Sequence, residues 1–186
     1  TGSVSVNGED LHRMKSRMLA RRVGVLAQNQ QVNYEFFSEE IIRLGCYSHR
    51  EGLFSPIGEE SEKLFRDAVR DTGVEELLHR PVTKLSGGEV QRVFLAQLFA
   101  QDPCVMLLDE PTSHLDLVYQ KQIFELVDAW RKRKNRAVIS VVHDITMAKH
   151  FGTHALLLEN GRAGAFGKKE DVLTAENLNR VFGIDV

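Results

Sequence analysis

Two adjacent carboxylates, Asp109 and Glu110, follow the apolar run Val105–Leu108. Such a run is typical of a strand in a parallel sheet, and open α/β sheets bind ligands at the carboxyl ends of their strands. An aspartate at that place can hold Mg²⁺, and the neighbouring glutamate can accept a proton from an attacking water. The alternative is a polar strand end without a ligand, which the following Pro111 and Thr112 make less convincing.

A second candidate is Ser86-Gly87-Gly88, which stands directly before a predicted helix over Glu89–Gln101. Glycine lets backbone N–H groups approach an anion closely, and a helix start offers unpaired donors and a positive dipole end. These residues could therefore bind a phosphate. Taken alone, they fit better a plain turn in which Ser86 caps the helix.

Two further polar residues end other predicted strands. His143 follows Ala137–Val142 and could donate a hydrogen bond to a terminal phosphate. Gln28 ends Val23–Ala27, and its carboxamide could ligate Mg²⁺ or hold a water. Considered singly, each fits better an ordinary solvated side chain at a strand end.

The elements that must position these residues alternate between strand and helix in the second half of the chain, which predicts an α/β domain with a largely parallel sheet. We expect Val105–Leu108 and Ala137–Val142 to be buried on both faces. The remaining predicted elements are hairpins at Asn7-Gly8 and Asn160-Gly161, and helices over Ser38–Leu44 with Ser38 as N-cap, Glu59–Asp71, Leu117–Lys134, Glu170–Leu173 and Ala175–Phe182. Between Asn29 and Arg80 no strand pattern occurs, which indicates a helical insertion.

The composition is that of a soluble globular protein. The 186 residues are 42% hydrophobic and 27% charged, with a formal net charge of −2, so no global field favours nucleic acid. The basic run Arg131–Arg136 fits the end of an amphipathic helix better than a nucleic-acid site. We predict free thiols at Cys46 and Cys104, which show no metal-ligand spacing.

In combination, three segments closely resemble the ATP-binding subunit of ABC transporters: Leu85–Arg92 (LSGGEVQR), Val105–Asp116 (VMLLDEPTSHLD) and Val142-His143-Asp144. The resemblance covers essentially the whole chain. It implies a P-loop NTPase-like sheet with a helical subdomain and an N-terminal antiparallel β piece. The roles it implies are the signature loop at Ser86, Gly87 and Gly88, the Walker B aspartate at Asp109, the catalytic glutamate at Glu110, the D-loop aspartate at Asp116, the switch histidine at His143 and the Q-loop glutamine at Gln28.

The same resemblance implies ATP and Mg²⁺ as cofactors, and two such domains paired head to tail as a homodimer. Transmembrane permease subunits would dock on the helical insertion, a substrate-binding protein would act indirectly, and nucleic acid would not be a partner. The location would be peripheral, on the cytoplasmic face of the membrane. Three parts are expected: core residues 1–28, a helical subdomain at 29–84, and the signature helix with the rest of the core at 85–186.

Two stretches narrow the resemblance. Leu44–His49 (LGCYSH) and the ending Val181–Val186 (VFGIDV) are similar to importers of iron–siderophores, haem and cobalamin. Manganese and zinc importers share parts of both stretches. We therefore expect uptake of a metal or a metal chelate.

The family's P-loop, G-x-x-x-x-G-K-[ST], does not occur in these residues; Gly167-Lys168-Lys169 lacks the hydroxyl residue and the upstream glycine. In the family the P-loop precedes the segment that matches Gly2–Gly8, and we expect its strand to lie beside the Walker B strand. We interpret the chain as a fragment of the domain whose sheet exposes unpaired backbone and apolar surface.

We predict that these 186 residues alone do not hydrolyse ATP and are poorly stable, because the P-loop supplies most of the β- and γ-phosphate contacts. The measurement is phosphate release by the purified chain with Mg-ATP. Turnover comparable to that of an intact family member would contradict the prediction.

Two other functions remain open. A non-catalytic interaction fragment would also lack the P-loop. An ABC-type ATPase of DNA repair shares the signature and Walker B motifs, but that class carries long heptad coiled coils, and the stretch between Gln28 and Ser86 is short and has no sustained heptads.

Overall fold

The computed structural model describes residues 2–28, 35–50, 58–113, 115–133 and 135–183. The chain divides into two compact units, Thr1–Val141 and Val142–Val186. The first unit opens with the antiparallel pair β1 (Ser5–Val6) and β2 (Glu9–Asp10). Asn7 and Gly8 join them with φ values of 52° and 82°, which confirms the predicted turn, since asparagine and glycine tolerate positive φ.

The central sheet of the first unit is parallel and has the order β3-β4-β5. Helix α1 (Ser16–Arg22) leads into β3 (Val23–Leu26), and the other strands are β4 (Val105–Asp109) and β5 (Ala137–Val141). Both edges of β4 are therefore paired. The expectation that a P-loop strand lies beside the Walker B strand is wrong for this chain, because β3 and β5 occupy both places.

Four longer helices complete the first unit: α2 (Ser38–Gly45), α3 (Glu59–Thr72), α4 (Gly87–Gln101) and α5 (Leu117–Arg131). The prediction of Ser38 as an N-cap is wrong. Phe37 holds the cap position and donates its N–H to the Glu40 carboxylate at 2.7 Å, while the Ser38 hydroxyl donates to the Arg80 carbonyl at 3.1 Å. Ser38 is buried, so its hydroxyl ties α2 to the chain before α4.

The helices α2 and α4 cross in close contact at Gly45. A methyl group on its Cα would lie 2.0 Å from the Gln97 carbonyl oxygen and 3.0 Å from the Gln101 nitrogen. The absence of a side chain at Gly45 is what allows this backbone-to-backbone approach. Helix α4 is thereby fixed against α2.

Only one face of the parallel sheet is covered by the described residues. Leu26, Met106 and Leu108 are buried in the same core as α4 and α5. On the other face Val25, Ile139 and Val141 are 60%, 62% and 52% exposed. The prediction that β4 and β5 are buried on both faces is thus wrong: apolar runs were sufficient to identify the strands, but not to show how many layers cover them.

The second unit is built around a β-hairpin. Helix α6 (Ile145–Phe151) precedes β6 (His154–Glu159) and β7 (Arg162–Lys168), which are antiparallel as predicted, and α7 (Lys169–Val172) and α8 (Ala175–Phe182) follow. Asn160 and Gly161 form the turn with positive φ. Its small core consists of buried residues from the hairpin and the last helical turns: Leu157, Val172, Leu173 and Leu178.

Three surface and core details bear on the sequence-based expectations. Both cysteines are free, as predicted, and burial raises the pKa of the Cys46 thiol to about 11. Carboxylates pair with several cations of the basic run: Arg131 and Lys132 contact Asp128 at 2.6 and 2.7 Å, and Arg136 contacts Asp102. Among the described residues, the helices are too short or too polar to cross a bilayer.

Candidate functional site

The carboxyl edge of the sheet brings together three of the predicted site residues. Gln28 follows β3, Asp109 ends β4 and Glu110 comes next. The Gln28 Nε2 donates to the Glu110 Oε2 at 2.6 Å, a contact between residues far apart in sequence. Because β3 and β4 are parallel and in register at Leu26 and Leu108, their polar ends meet at the same edge.

Glu110 has an unusual backbone conformation. Its φ is 46°, in the left-handed region, although it is neither glycine nor asparagine and stands before Pro111. A proline favours an extended residue before it, and left-handed φ costs about 1–2 kcal/mol for most side chains. The Glu110 N–H donates to the Val141 carbonyl at 3.1 Å, which holds the turn against β5. Backbone strain of this kind is concentrated at functional sites.

The oxygen atoms at this edge fit a magnesium ion. Since the Gln28 amide donates through its nitrogen, its oxygen is the atom that it could offer to a metal, and Asp109 is exposed. Within the described residues no group of three or more His, Cys, Asp or Glu residues forms a metal cage. Mg²⁺ normally uses one or two protein oxygens and completes its shell with water and phosphate, so this sparse donor set suits it.

The start of α4 is a capped, glycine-rich helix terminus. Ser86 is the N-cap, and its hydroxyl oxygen accepts the Glu89 N–H at 3.4 Å. Gly87 and Gly88 form the first two helical positions, where backbone N–H groups have no carbonyl acceptor within the helix. The cap interpretation of Ser86 is therefore confirmed, and the phosphate-binding role of the three residues stays a prediction.

Two residues that the sequence analysis did not single out complete this helix start. The Glu89 carboxylate accepts the Ser86 N–H at 2.8 Å and the Ser86 hydroxyl at 2.9 Å, and Arg80 donates to it at 2.9 Å. The backbone hydrogen bond from Ser86 is the main cause that holds the pKa of Glu89 below its usual range, followed by the Ser86 hydroxyl, with a smaller effect of Arg80. A negative charge is thus fixed beside the candidate phosphate site and partly neutralised by Arg80.

This lowered pKa predicts a pH dependence of stability. A carboxylate whose pKa is lowered on folding contributes stability above its unfolded pKa and loses it as the pH falls through the folded value. Between pH 7 and pH 3 we expect the free energy of unfolding to fall more in the wild type than in Glu89→Gln, by less than about 1 kcal/mol because the group is partly exposed. Urea unfolding at both pH values measures this difference. An equal loss of unfolding free energy in the wild type and in Glu89→Gln would contradict the prediction.

The remaining predicted residues lie at other helix starts. Asp116 is the N-cap of α5 and accepts the N–H groups of Val118 and Tyr119, each at 3.0 Å. His143 belongs to the second unit, is exposed, and directly precedes Asp144, the N-cap of α6. The roles of Asp116 and His143 stay predictions.

A parallel sheet with an amide and two carboxylates at its carboxyl edge, in one unit with a helix whose glycine-rich start presents backbone N–H groups, is typical of α/β nucleotide-binding domains. Comparison with known families is more specific. The family described as ABC transporter matches residues 1–113. The chain belongs to the ABC transporter ATP-binding family.

Three curated relatives show which members it is similar to. YvrA of Bacillus subtilis, an ABC transporter ATP-binding protein, is 36% identical over 100% of this chain and 42% of its own length. FepC of Escherichia coli, a ferric enterobactin transport ATP-binding protein, is 34% identical over 98% of this chain and 67% of its own. HmuV of Pseudomonas entomophila, a hemin import ATP-binding protein, is 37% identical over 100% and 72%. The chain thus spans less than half of YvrA and about two thirds of the others.

A solved structure supports the α/β fold. A metal-chelate type ABC transporter in an inward-facing conformation superposes with a TM-score of 0.80 at 27% identity, over 88% of this chain and 64% of that one. The fold predicted from the strand and helix pattern is confirmed, as is the resemblance to the ATP-binding subunits of siderophore and haem importers.

Proposed function

We propose that this chain is part of the ATP-hydrolysing subunit of an ABC importer that takes up a metal or a metal chelate. The observation that carries the proposal is the 2.6 Å contact between Gln28 and Glu110 at the carboxyl edge of the sheet, beside the exposed Asp109. An amide and two carboxylates gathered at that edge are suited to ligating a metal and to activating water. The relatives named for ferric enterobactin and hemin support the substrate class.

Each residue at the sheet edge has a distinct part in the proposed reaction. Asp109 and the Gln28 amide oxygen would hold Mg²⁺, which, when bound, would neutralise the negative charge that develops on the nucleotide phosphates. Glu110 accepts a proton from the attacking water, and the Gln28 amide fixes the direction of its carboxylate. His143 is not part of this edge, since it belongs to the second unit, and it stays a candidate donor to a phosphate oxygen of ATP.

The start of α4 would serve the nucleotide of a second ATP-binding subunit. The N–H groups of Gly87 and Gly88 bind its terminal phosphate in a head-to-tail dimer, and Ser86 fixes the helix start by capping it. Asp116 shapes the neighbouring D-loop by capping α5. A homodimer supplies two such composite sites.

An apolar surface supports docking of the permease. Four large hydrophobic side chains in and beside α2 are exposed: Phe36 (43%), Phe37 (47%), Leu44 (57%) and Tyr47 (49%). Exposed aromatic and aliphatic residues on one segment are typical of a protein interface. We assign them to the transmembrane permease subunits, which places the chain peripherally on the cytoplasmic face of the membrane; a substrate-binding protein would act only through the permease.

The test uses a fusion that places the P-loop segment of FepC ahead of Thr1, hereafter the P-loop fusion. We expect it to hydrolyse Mg-ATP, and a Ser86→Arg variant to lose that activity because the arginine obstructs the anion site at the helix start. A folded P-loop fusion without turnover, or a fully active Ser86→Arg variant, would contradict the proposed function. The substitution Lys121→Arg in the same fusion, at an exposed position on α5, serves as the matched control and should keep the activity.

A second candidate is a non-catalytic interaction fragment, and the observation that favours it is the group of exposed apolar side chains Phe36, Phe37, Leu44 and Tyr47. In that case the exposed apolar surface of the helical segment would still bind the permease. Binding to the permease without any turnover of the P-loop fusion distinguishes this candidate from the ATPase.

A further inference from the structure

The start of α4 lies close to the chain that follows β4, with contacts at Pro111, Leu115 and Tyr119. Gly88 lies against the Tyr119 ring: a methyl group on the Gly88 Cα would be 3.0, 3.2 and 3.3 Å from the ring atoms Cδ1, Cγ and Cε1. These distances are shorter than ordinary carbon contacts, so the ring occupies the space that any side chain at position 88 would need. Tyr119 therefore sets where the first turn of α4 can lie.

A hydrogen bond joins the same two segments one turn further along. The Gln91 Nε2 donates to the Pro111 carbonyl at 2.6 Å. Pro111 is fully buried and directly follows Glu110 in the chain. The position of α4 is thus linked through one residue to the carboxylate that we assign as the base.

Hydrogen bonds hold the backbone that carries the Tyr119 ring. Asp116 accepts the backbone N–H of Tyr119 at 3.0 Å, and the Gln120 side-chain amide donates to the Leu115 carbonyl at 2.9 Å. Both bonds close the loop before α5 on its own backbone. Movement of this loop would therefore carry the Tyr119 ring with it and shift the start of α4.

We propose that Tyr119 is a positioning residue, acting with Gln91, that keeps the N–H groups of Gly87 and Gly88 at a fixed distance from the Glu110 and Asp116 segment. The proposal rests on the proposed function for its catalytic consequence, but its contact can be tested without turnover. In the proposed dimer, α4 and Glu110 of one subunit serve different nucleotides. A displacement at one ATP site would therefore be transmitted through Tyr119 to the other site.

The first test is a double-mutant cycle on the unmodified chain, which combines Gly88→Ala with Tyr119→Ala. Alanine favours a helix over glycine, so Gly88→Ala should raise the urea midpoint where the ring is absent and lower it where the ring is present. The fluorescence of Trp130, the single and buried tryptophan, reports unfolding. If Gly88→Ala shifted the urea midpoint in the same direction with and without the Tyr119 ring, the contact between Gly88 and that ring would be contradicted.

The second test measures catalysis in the P-loop fusion. Tyr119→Ala should lower kcat about tenfold or more, with KM for ATP within about twofold, since it misplaces groups without touching the P-loop. Tyr119→Phe keeps the ring and should restore the rate, and Lys121→Ala on the same helix is the control. Full activity of Tyr119→Ala would overturn the positioning role. A P-loop fusion that folds without any turnover refutes the proposed function. In that case the double-mutant cycle still tests the contact between Gly88 and Tyr119.

Discussion

The Glu110→Gln variant of the P-loop fusion should hydrolyse ATP about 100-fold more slowly than the parent, or slower still. The change replaces the carboxylate that we propose as the proton acceptor with an amide of the same shape. Gln28 can still hydrogen-bond to the oxygen of that amide, so the sheet edge and the fold should persist. The measurement is phosphate release at saturating Mg-ATP.

A matched control measures the effect of removing a carboxylate away from the candidate site. Glu125→Gln removes a carboxylate on α5 that is 55% exposed and pairs only loosely with Lys121 at 3.6 Å. It should keep the parental rate. If Glu110→Gln also kept that rate within about twofold, another group would be the base and the role proposed for Glu110 would be wrong.

The largest expected effect on stability comes from Gly45→Ala. Because its methyl group would lie 2.0 Å from the Gln97 carbonyl oxygen, the helices α2 and α4 must separate or bend, and neither backbone can yield as a side chain would. Overpacking of this kind costs about 3 kcal/mol. Urea unfolding of the chain, followed by Trp130 fluorescence, measures the loss.

Gly2→Ala is the control for this prediction, since a methyl group there has nothing within 4 Å. It should leave the free energy of unfolding within about 0.5 kcal/mol of the wild type. An equally small effect at Gly45 would show that α2 and α4 do not pack as closely as described.

Local sequence patterns were sufficient to predict most elements, but not their surroundings. Asn7-Gly8 and Asn160-Gly161 identify their turns because few residues tolerate positive φ at both positions. The burial of β5 could not be predicted, because an apolar run reports what a strand can bury and not which layers cover it. Likewise Ser38 is a good capping residue by type, yet its hydroxyl is used by the distant Arg80 carbonyl.

The candidate site was predictable where parallel strands bring their ends together, as at Gln28 and Glu110. Tyr119 and Gln91 could not be found in this way. Their importance depends on the side-by-side packing of α4 and the loop after β4, which no spacing within one element encodes. Glu89 belongs to the signature segment, but its pairing with Arg80 depends on the path of the intervening chain.

At position 110 backbone geometry and chemistry favour different amino acids. A φ of 46° is most easily adopted by glycine, then by asparagine or aspartate, whereas the proposed acceptance of a proton from water calls for the longer carboxylate that is present. Selection for abundance and selection for turnover would therefore rank substitutions at this position in opposite orders. On the proposed role of Glu110, the glutamate at this position reflects selection for turnover.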